Sequence, residues 1–191
     1  MIVSHSHKII FIHVHRTGGS TIINLLKQQL KSKVDIISQH GNTLTSESLI
    51  LEKYPDYFLF GFARNPWGRM LSWYSLINKR NHQSIEIDKL KFEEFLENDL
   101  ASNKNDNSFH FNQLDYFPNV SDSINPLKIY RYEKFEEEAK KLFKRFGIQI
   151  ENIPMLNNTT IKDYQKYYTK RSIELVKQKC YKDIAYFNYS F

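Results

Sequence analysis

The chain has 191 residues, a formal net charge of +6, 41% hydrophobic and 15% aromatic residues, and a single cysteine. This composition excludes an intrinsically disordered chain, a disulfide scaffold and a thiolate metal cluster, and the length suits one domain, 1–191, with a core between a sheet and its covering helices. The basic balance favours an anionic partner: a nucleotide, an acidic or sulfated glycan, nucleic acid or a membrane surface.

The N-terminal stretch MIVSHSHKIIFIHVH has no leader-like apolar core, and no segment approaches the roughly 18 to 20 apolar residues of a membrane span. With Cys180 as a packed helix residue in a reducing compartment, a cytoplasmic location is expected. KIIFIHV at 8–14 is too short and too apolar for an amphipathic helix, and its β-branched and aromatic content predicts a buried strand. From Ser20 to about Leu30, Ile22, Ile23, Leu25, Leu26 and Leu30 leave a polar face of Asn24, Lys27 and Gln28, which predicts a helix. VDIIS at 34–38 predicts a second short strand, followed by the loop QHGNT and a helix over 46–54 capped by Thr45 or Ser46. YFLFGFA at 57–63 is a third strand, and Pro66 suits the first turn of the helix that follows, because its missing N–H costs nothing there.

The region 80–118 reads as an excursion from the sheet that holds one helix, from about Asp88 to Leu100, and it is the candidate acceptor-binding part. LKIYR at 127–131 predicts a fourth strand, and EKFEEEAKKLFKRFG an amphipathic helix closed by Gly147 at its C′ position. A last helix is expected from Arg171 to Ile184. Strands alternating with helices predict an α/β fold whose mainly parallel central sheet is covered on both faces.

Two stretches carry chemistry. In HVHRTGGST, 13–21, a strand breaks at Gly18 and Gly19 and restarts as a helix, so N–H groups from Thr17 to Thr21 can converge on an anion at a helix N-terminus. Arg16 adds a permanent cation, and Ser20 and Thr21 add hydroxyl donors. A plain capped turn is the alternative. In GFARNPWGRMLSWY, Arg64 leaves the end of the third strand and Ser72 lies two turns into the next helix. Ligands of open α/β sheets bind beyond the carboxyl ends of the strands, so this segment and the loop are expected to face one ligand. Arg64 and Arg69 can instead be surface ion-pair formers, with Trp67, Trp73 and Tyr74 as packing residues.

FIHVHRTGGST resembles the 5′-phosphosulfate loop of carbohydrate sulfotransferases related to heparan sulfate 2-O-sulfotransferase, usually Pro-Lys-Thr-Gly-Gly-Thr-Ser. FGFARNPWGRMLSWY resembles their 3′-phosphate segment, and the likeness continues through FNQLDYF, IYRYEKF and the C-terminal tail. The resemblance implies a P-loop-like three-layer fold and a donor, 3′-phosphoadenosine 5′-phosphosulfate (PAPS), used without a metal. It assigns Arg16, Thr17, Gly18, Gly19, Ser20 and Thr21 to the 5′-phosphosulfate and Arg64 and Ser72 to the 3′-phosphate. His40, in SQHGNT, matches the histidine beside the acceptor hydroxyl and is the candidate base, with Arg16 serving the leaving oxygen. Gln113 and Tyr116 sit at positions used near the acceptor.

The acceptor implied is a hydroxyl compound, a glycan or glycolipid, with no nucleic acid partner; a peripheral membrane contact is compatible with the charge, and nothing signals an oligomeric state. Sulfuryl transfer, by analogy with phosphoryl transfer, needs a base for the acceptor proton and cations or N–H donors for the departing phosphate oxygen. The sulfuryl group carries less charge than a terminal phosphoryl, which fits the missing GxxxxGK[ST] pattern. Two departures stand out: Arg16 replaces the usual Lys and cannot donate its proton, and His15 replaces the usual Pro. His13 and His15 could pair on a metal, although no carboxylate or cysteine partner can be named. Lys162, Lys166 and Lys170 give the tail a basic character that a solvated face explains equally well. Two other functions compete: a P-loop-type small-molecule kinase, which lacks its loop lysine, and a non-catalytic binder of anionic polymer, for which no nucleic-acid motif is visible.

Overall fold

The structure is a computed structural model that describes residues 1–30, 34–37, 48–81, 87–98, 109–118, 126–148, 150, 152–153 and 163–191, with the backbone alone at 48–50 and 79–81. The chain divides into two compact units, Met1–Ala63 with Asp115–Asn157, and Arg64–Leu114 with Asn158–Phe191.

The first unit is built on a five-stranded sheet. Its strands are β1 (Ile2–Ser4), β2 (Ile9–Ile12), β3 (Asp35–Ile36), β4 (Phe58–Ala63) and β5 (Leu127–Arg131), in the order β3-β1-β2-β4-β5. β2 and β4 run parallel with Ile9 opposite Phe58 and Ile12 opposite Gly61, and β4 and β5 run parallel with Ala63 opposite Arg131. The centre is parallel as expected. The β1 side is not: β1 is antiparallel to both β2 and β3. The strand at 2–4 has no signature in the sequence, where IVS is too short to show a period. Once those residues pair, the turn Ser4–Lys8 can only reverse the chain, because a parallel return needs a crossover of about a dozen residues or more. Lys8 closes that turn with a left-handed φ of 50°. Of the strand expected over 34–38, the described residues 34–37 pair only at Asp35 and Ile36, on the sheet edge, with Ile36 half exposed.

Both faces are covered at the centre of the sheet, which is why β2 and β4 read as unbroken apolar runs. On one face Ile9, Phe11, Phe60 and Phe62 pack with Ile22, Leu25 and Leu26 of α1 (Gly19–Leu30) and Phe135, Ala139, Leu142 and Phe143 of α5 (Phe135–Arg145). On the other, Ile10, Ile12, Val14 and Leu59 pack with Leu51 of α2 (Ser48–Lys53), Tyr57, Tyr116 and Phe117. Each buried Leu, Ile or Phe contributes about 1.5–3 kcal/mol. Gly61 is forced by this second layer, since a Cβ there would stand 2.5 Å from Cζ of Phe117.

The second unit holds α3 (Pro66–Asn81), α4 (Lys89–Glu97), α6 (Lys170–Lys179) and α7 (Tyr181–Phe187), with a 3-10 turn at Tyr164–Tyr167. α4 is the helix expected in the excursion; Asp88 caps it by accepting from the N–H groups of Leu90 and Lys91. Its Phe92 and Phe95 rings pack on Tyr74 at 5.1 and 5.2 Å between centroids. Thr169 caps α6 in a capping box with Ser172 and donates its hydroxyl to Glu93. The single helix expected over 171–184 is broken at Cys180, whose backbone leaves the helical region at φ −110° and whose thiol donates to the Phe111 carbonyl at 3.4 Å. Trp67, Trp73 and Tyr74 are buried, as packing residues should be.

Candidate functional site

In the first unit, β2 runs into a tight turn and then α1. Arg16 has φ 67° and Gly18 φ 81°, with Thr17 between them outside the positive region. This alternation in sign turns successive N–H groups to one side, the concavity in which backbone amides hold anions. Thr17 locks the turn by donating its hydroxyl to the Val14 carbonyl at 2.9 Å, and Thr21 and Ile22 donate to the Gly18 carbonyl at 3.0 and 3.3 Å. α1 therefore starts at Gly19, and its first N–H groups have no acceptor within the helix. Arg16, Gly18 and Ser20 are half-buried, whereas Thr17, Gly19 and Thr21 are buried.

Neither glycine can carry a side chain. A Cβ at Gly19 would stand 1.7 Å from Cδ2 of His13, and one at Gly18 would stand 2.6 Å from Cε2 of Phe135. His13 thus serves as a floor for the loop. His15 is also committed: its Nδ1 lies 2.8 Å from the Tyr116 hydroxyl, and both side chains are buried. Tyr116, expected near the acceptor, is fully buried in that pair.

In the second unit, Arg64 follows Ala63, the last residue of β4, and is half-buried. Its Nε lies 3.5 Å from where a Cβ on Gly68 would stand, so the side chain runs over the first turn of α3. Asn65 caps that turn, its side-chain oxygen accepting from Trp67 and Gly68. Ser72 lies on α3 and is buried.

Gln113, also expected near the acceptor, is fully buried and grips the Arg64 backbone: its Oε1 accepts from the Arg64 N–H at 2.8 Å and its Nε2 donates to the Arg64 carbonyl at 2.7 Å. The reading of Arg69 as a surface ion-pair former is wrong. Arg69 is 0% exposed, stacks its guanidinium 4.6 Å from the Phe109 ring centroid and donates to the His110 and Phe111 carbonyls, both at 2.8 Å. Only the planar fork of an arginine reaches two adjacent carbonyls this way. Asp183, which no sequence pattern singles out, is fully buried and accepts from the Gln113 and Leu114 backbone N–H groups and from Gln113 Nε2. Burial raises its carboxyl above the usual range, against the pull of those N–H donors and of Arg69. Burial likewise pushes the Cys180 thiol up to about 12, which makes it an inert packing residue.

His40 lies outside the described residues, as does Lys162. Among the described residues no helix is long and apolar enough to cross a membrane.

The fold is thus of the α/β class, with a turn of alternating φ sign that follows β2 and opens α1. A family model described as "Sulfotransferase family" matches residues 1–190, and the chain belongs to that family; its sheet, parallel at the centre, is consistent with the P-loop-like fold. The chain is also similar to an uncharacterized protein of Archaeoglobus fulgidus, 27% identical over 118 residues that cover 59% of this chain and 87% of the relative. No solved structure matches.

Proposed function

We propose that the chain transfers a sulfuryl group from PAPS to a hydroxyl of a carbohydrate, a glycan or glycolipid, with no metal ion. The observation that carries this reading is the loop 16–21, whose alternating φ signs and following helix suit a tetrahedral oxyanion, in a chain of the sulfotransferase family. Arg16, Thr17, Gly18, Gly19, Ser20 and Thr21 take the 5′-phosphosulfate, and Arg64 with Ser72 takes the 3′-phosphate. The donor assignment, the acceptor and these roles rest on the motif resemblance.

In the reaction the acceptor oxygen forms a bond to sulfur as the bond from sulfur to the 5′-phosphate oxygen breaks. The acceptor proton passes to the neutral imidazole of His40, and 3′-phosphoadenosine 5′-phosphate (PAP) leaves. Charge growing on its phosphate oxygen is met by loop N–H groups and by the Arg16 guanidinium, which neutralises without protonating. The Arg16 backbone holds that cation in an unusual left-handed conformation, which costs on the order of 1–2 kcal/mol and is retained where the surrounding structure imposes it. The composition, with Cys180 as its one cysteine, supports a cytoplasmic setting.

Incubation with radiolabelled PAPS and a panel of sugars and glycolipids tests the reading. Labelled sulfate ester should form, and His40→Ala should slow turnover about 10²–10⁴-fold while leaving PAP affinity unchanged. Absence of sulfated product from every hydroxyl acceptor would sink the activity. Full turnover in His40→Ala would remove His40 as base.

A further inference from the structure

We infer that Gln113 and Asp183 are positioning residues that aim the Arg64 cation at the donor's 3′-phosphate; this rests on the assignment of Arg64 proposed above. Arg64 follows the last paired residue of β4, so the ladder that orders β4 ends at Ala63 and its register with Arg131. Gln113 takes over at that point. One primary amide engages both backbone polar groups of Arg64, accepting from its N–H at 2.8 Å and donating to its carbonyl at 2.7 Å. Two bonds flanking one Cα fix the direction of its Cβ, which a single bond would leave free to swing.

The amide works in one orientation only, and Asp183 sets it. Asp183 Oδ2 accepts from the Gln113 backbone N–H at 2.7 Å and from Nε2 at 3.0 Å, so the NH₂ end of the amide must face both the carboxylate and the Arg64 carbonyl. Oδ1 accepts from Leu114 N–H at 3.0 Å. Gln113 and Asp183 are both 0% exposed, so water does not compete for these bonds. The segment before Gln113 is held as firmly: Arg69 grips the His110 and Phe111 carbonyls, and Asn112 bonds the Lys179 carbonyl and the Lys182 N–H at 3.1 and 3.0 Å. A long cation that must meet a phosphate gains from such support, since a displacement of about 1 Å at the point of contact can remove most of its effect.

PAP and ADP are isomers that place two phosphates differently on one nucleoside, as two monoesters in PAP and one diphosphate in ADP, so the change in their affinity ratio between the parent and a variant reads the 3′-phosphate contact. Calorimetric titration of Gln113→Met and Asp183→Asn should show PAP binding weakened about tenfold and ADP binding unchanged within about twofold. The double variant Arg64→Ala with Gln113→Met should bind PAP no more weakly than Arg64→Ala alone, as expected of groups acting through one cation. In the unmodified protein, the Gln113 side-chain amide resonances should shift on adding PAP and stay in place on adding ADP. A retained PAP preference in either folded variant, with only the melting temperature reduced, would make the clamp purely structural and overturn the inference; so would amide resonances indifferent to PAP. Equal affinity of the unmodified protein for PAP and ADP would instead overturn the donor assignment, and the inference with it.

Discussion

Arg16 was visible in the sequence as a cation beside a glycine pair, but not its left-handed backbone, because φ is imposed by the Thr17–Val14 lock and the packing of Gly18 and Gly19. Lysine at this position keeps the charge and the conformation, so Arg16→Lys should bind PAP within about threefold of the parent, whereas Arg16→Ala should lose about 10²–10³ in kcat/KM, measured with labelled PAPS. Gln113 illustrates the opposite case. Its type and place in FNQLDYF suggested contact with the acceptor, and only tertiary structure reveals a partner as remote in sequence as Arg64. Asp183 left no signal, being one carboxylate among several in a basic tail. Its raised pKa carries a sign. The folded state keeps the proton to higher pH than the unfolded chain, so the stability linked to this group is fully present below the ordinary carboxylate range and is lost as pH rises through the folded value. Asp183→Asn should therefore gain on the parent in urea-unfolding free energy as pH is raised from about 4 to about 7, the range above the free carboxylate value. Parallel profiles would contradict the shift.

β5 matches the expected boundaries, and β4 and α5 are found within a residue or two, because β4 is a long apolar run, α5 a strong 3.6-residue pattern and β5 a short alternation of apolar and basic residues. In α5, Glu136, Glu137 and Glu138 fill the first turn and Lys144 and Arg145 the last, complementing the helix dipole. Gly147 ends it at φ 71°, with the Ile148 N–H returning to the Phe143 carbonyl at 2.9 Å. A Cβ on Gly147 meets nothing within 4 Å, so its substitution tests backbone conformation alone. Gly147→Ala should cost about 1 kcal/mol in chemical denaturation and Gly147→Asn less, since Asn tolerates the left-handed region. β1 and the break at Cys180 were not legible: a three-residue strand has no period, and the break falls inside an uninterrupted helical pattern at a residue whose thiol meets the distant Phe111 carbonyl.

For the molecule as a whole, the +6 charge alone admitted a nucleotide, a polyanion or a membrane surface. Family membership over 1–190 narrows that to sulfuryl transfer, and the proposed donor reading assigns one phosphate to the loop at 16–21 and the other to the segment at 64–72. A binder of anionic polymer would show no preference between isomeric nucleotides, and a kinase would favour the nucleotide whose phosphates are joined in a chain. Titration calorimetry of the unmodified protein with PAP and with ADP, in one buffer and at one ionic strength, separates all three. The donor reading predicts PAP tighter by at least about tenfold, the worth of one charge-assisted contact to the 3′-phosphate. Equal affinity, or a preference for ADP, would contradict it.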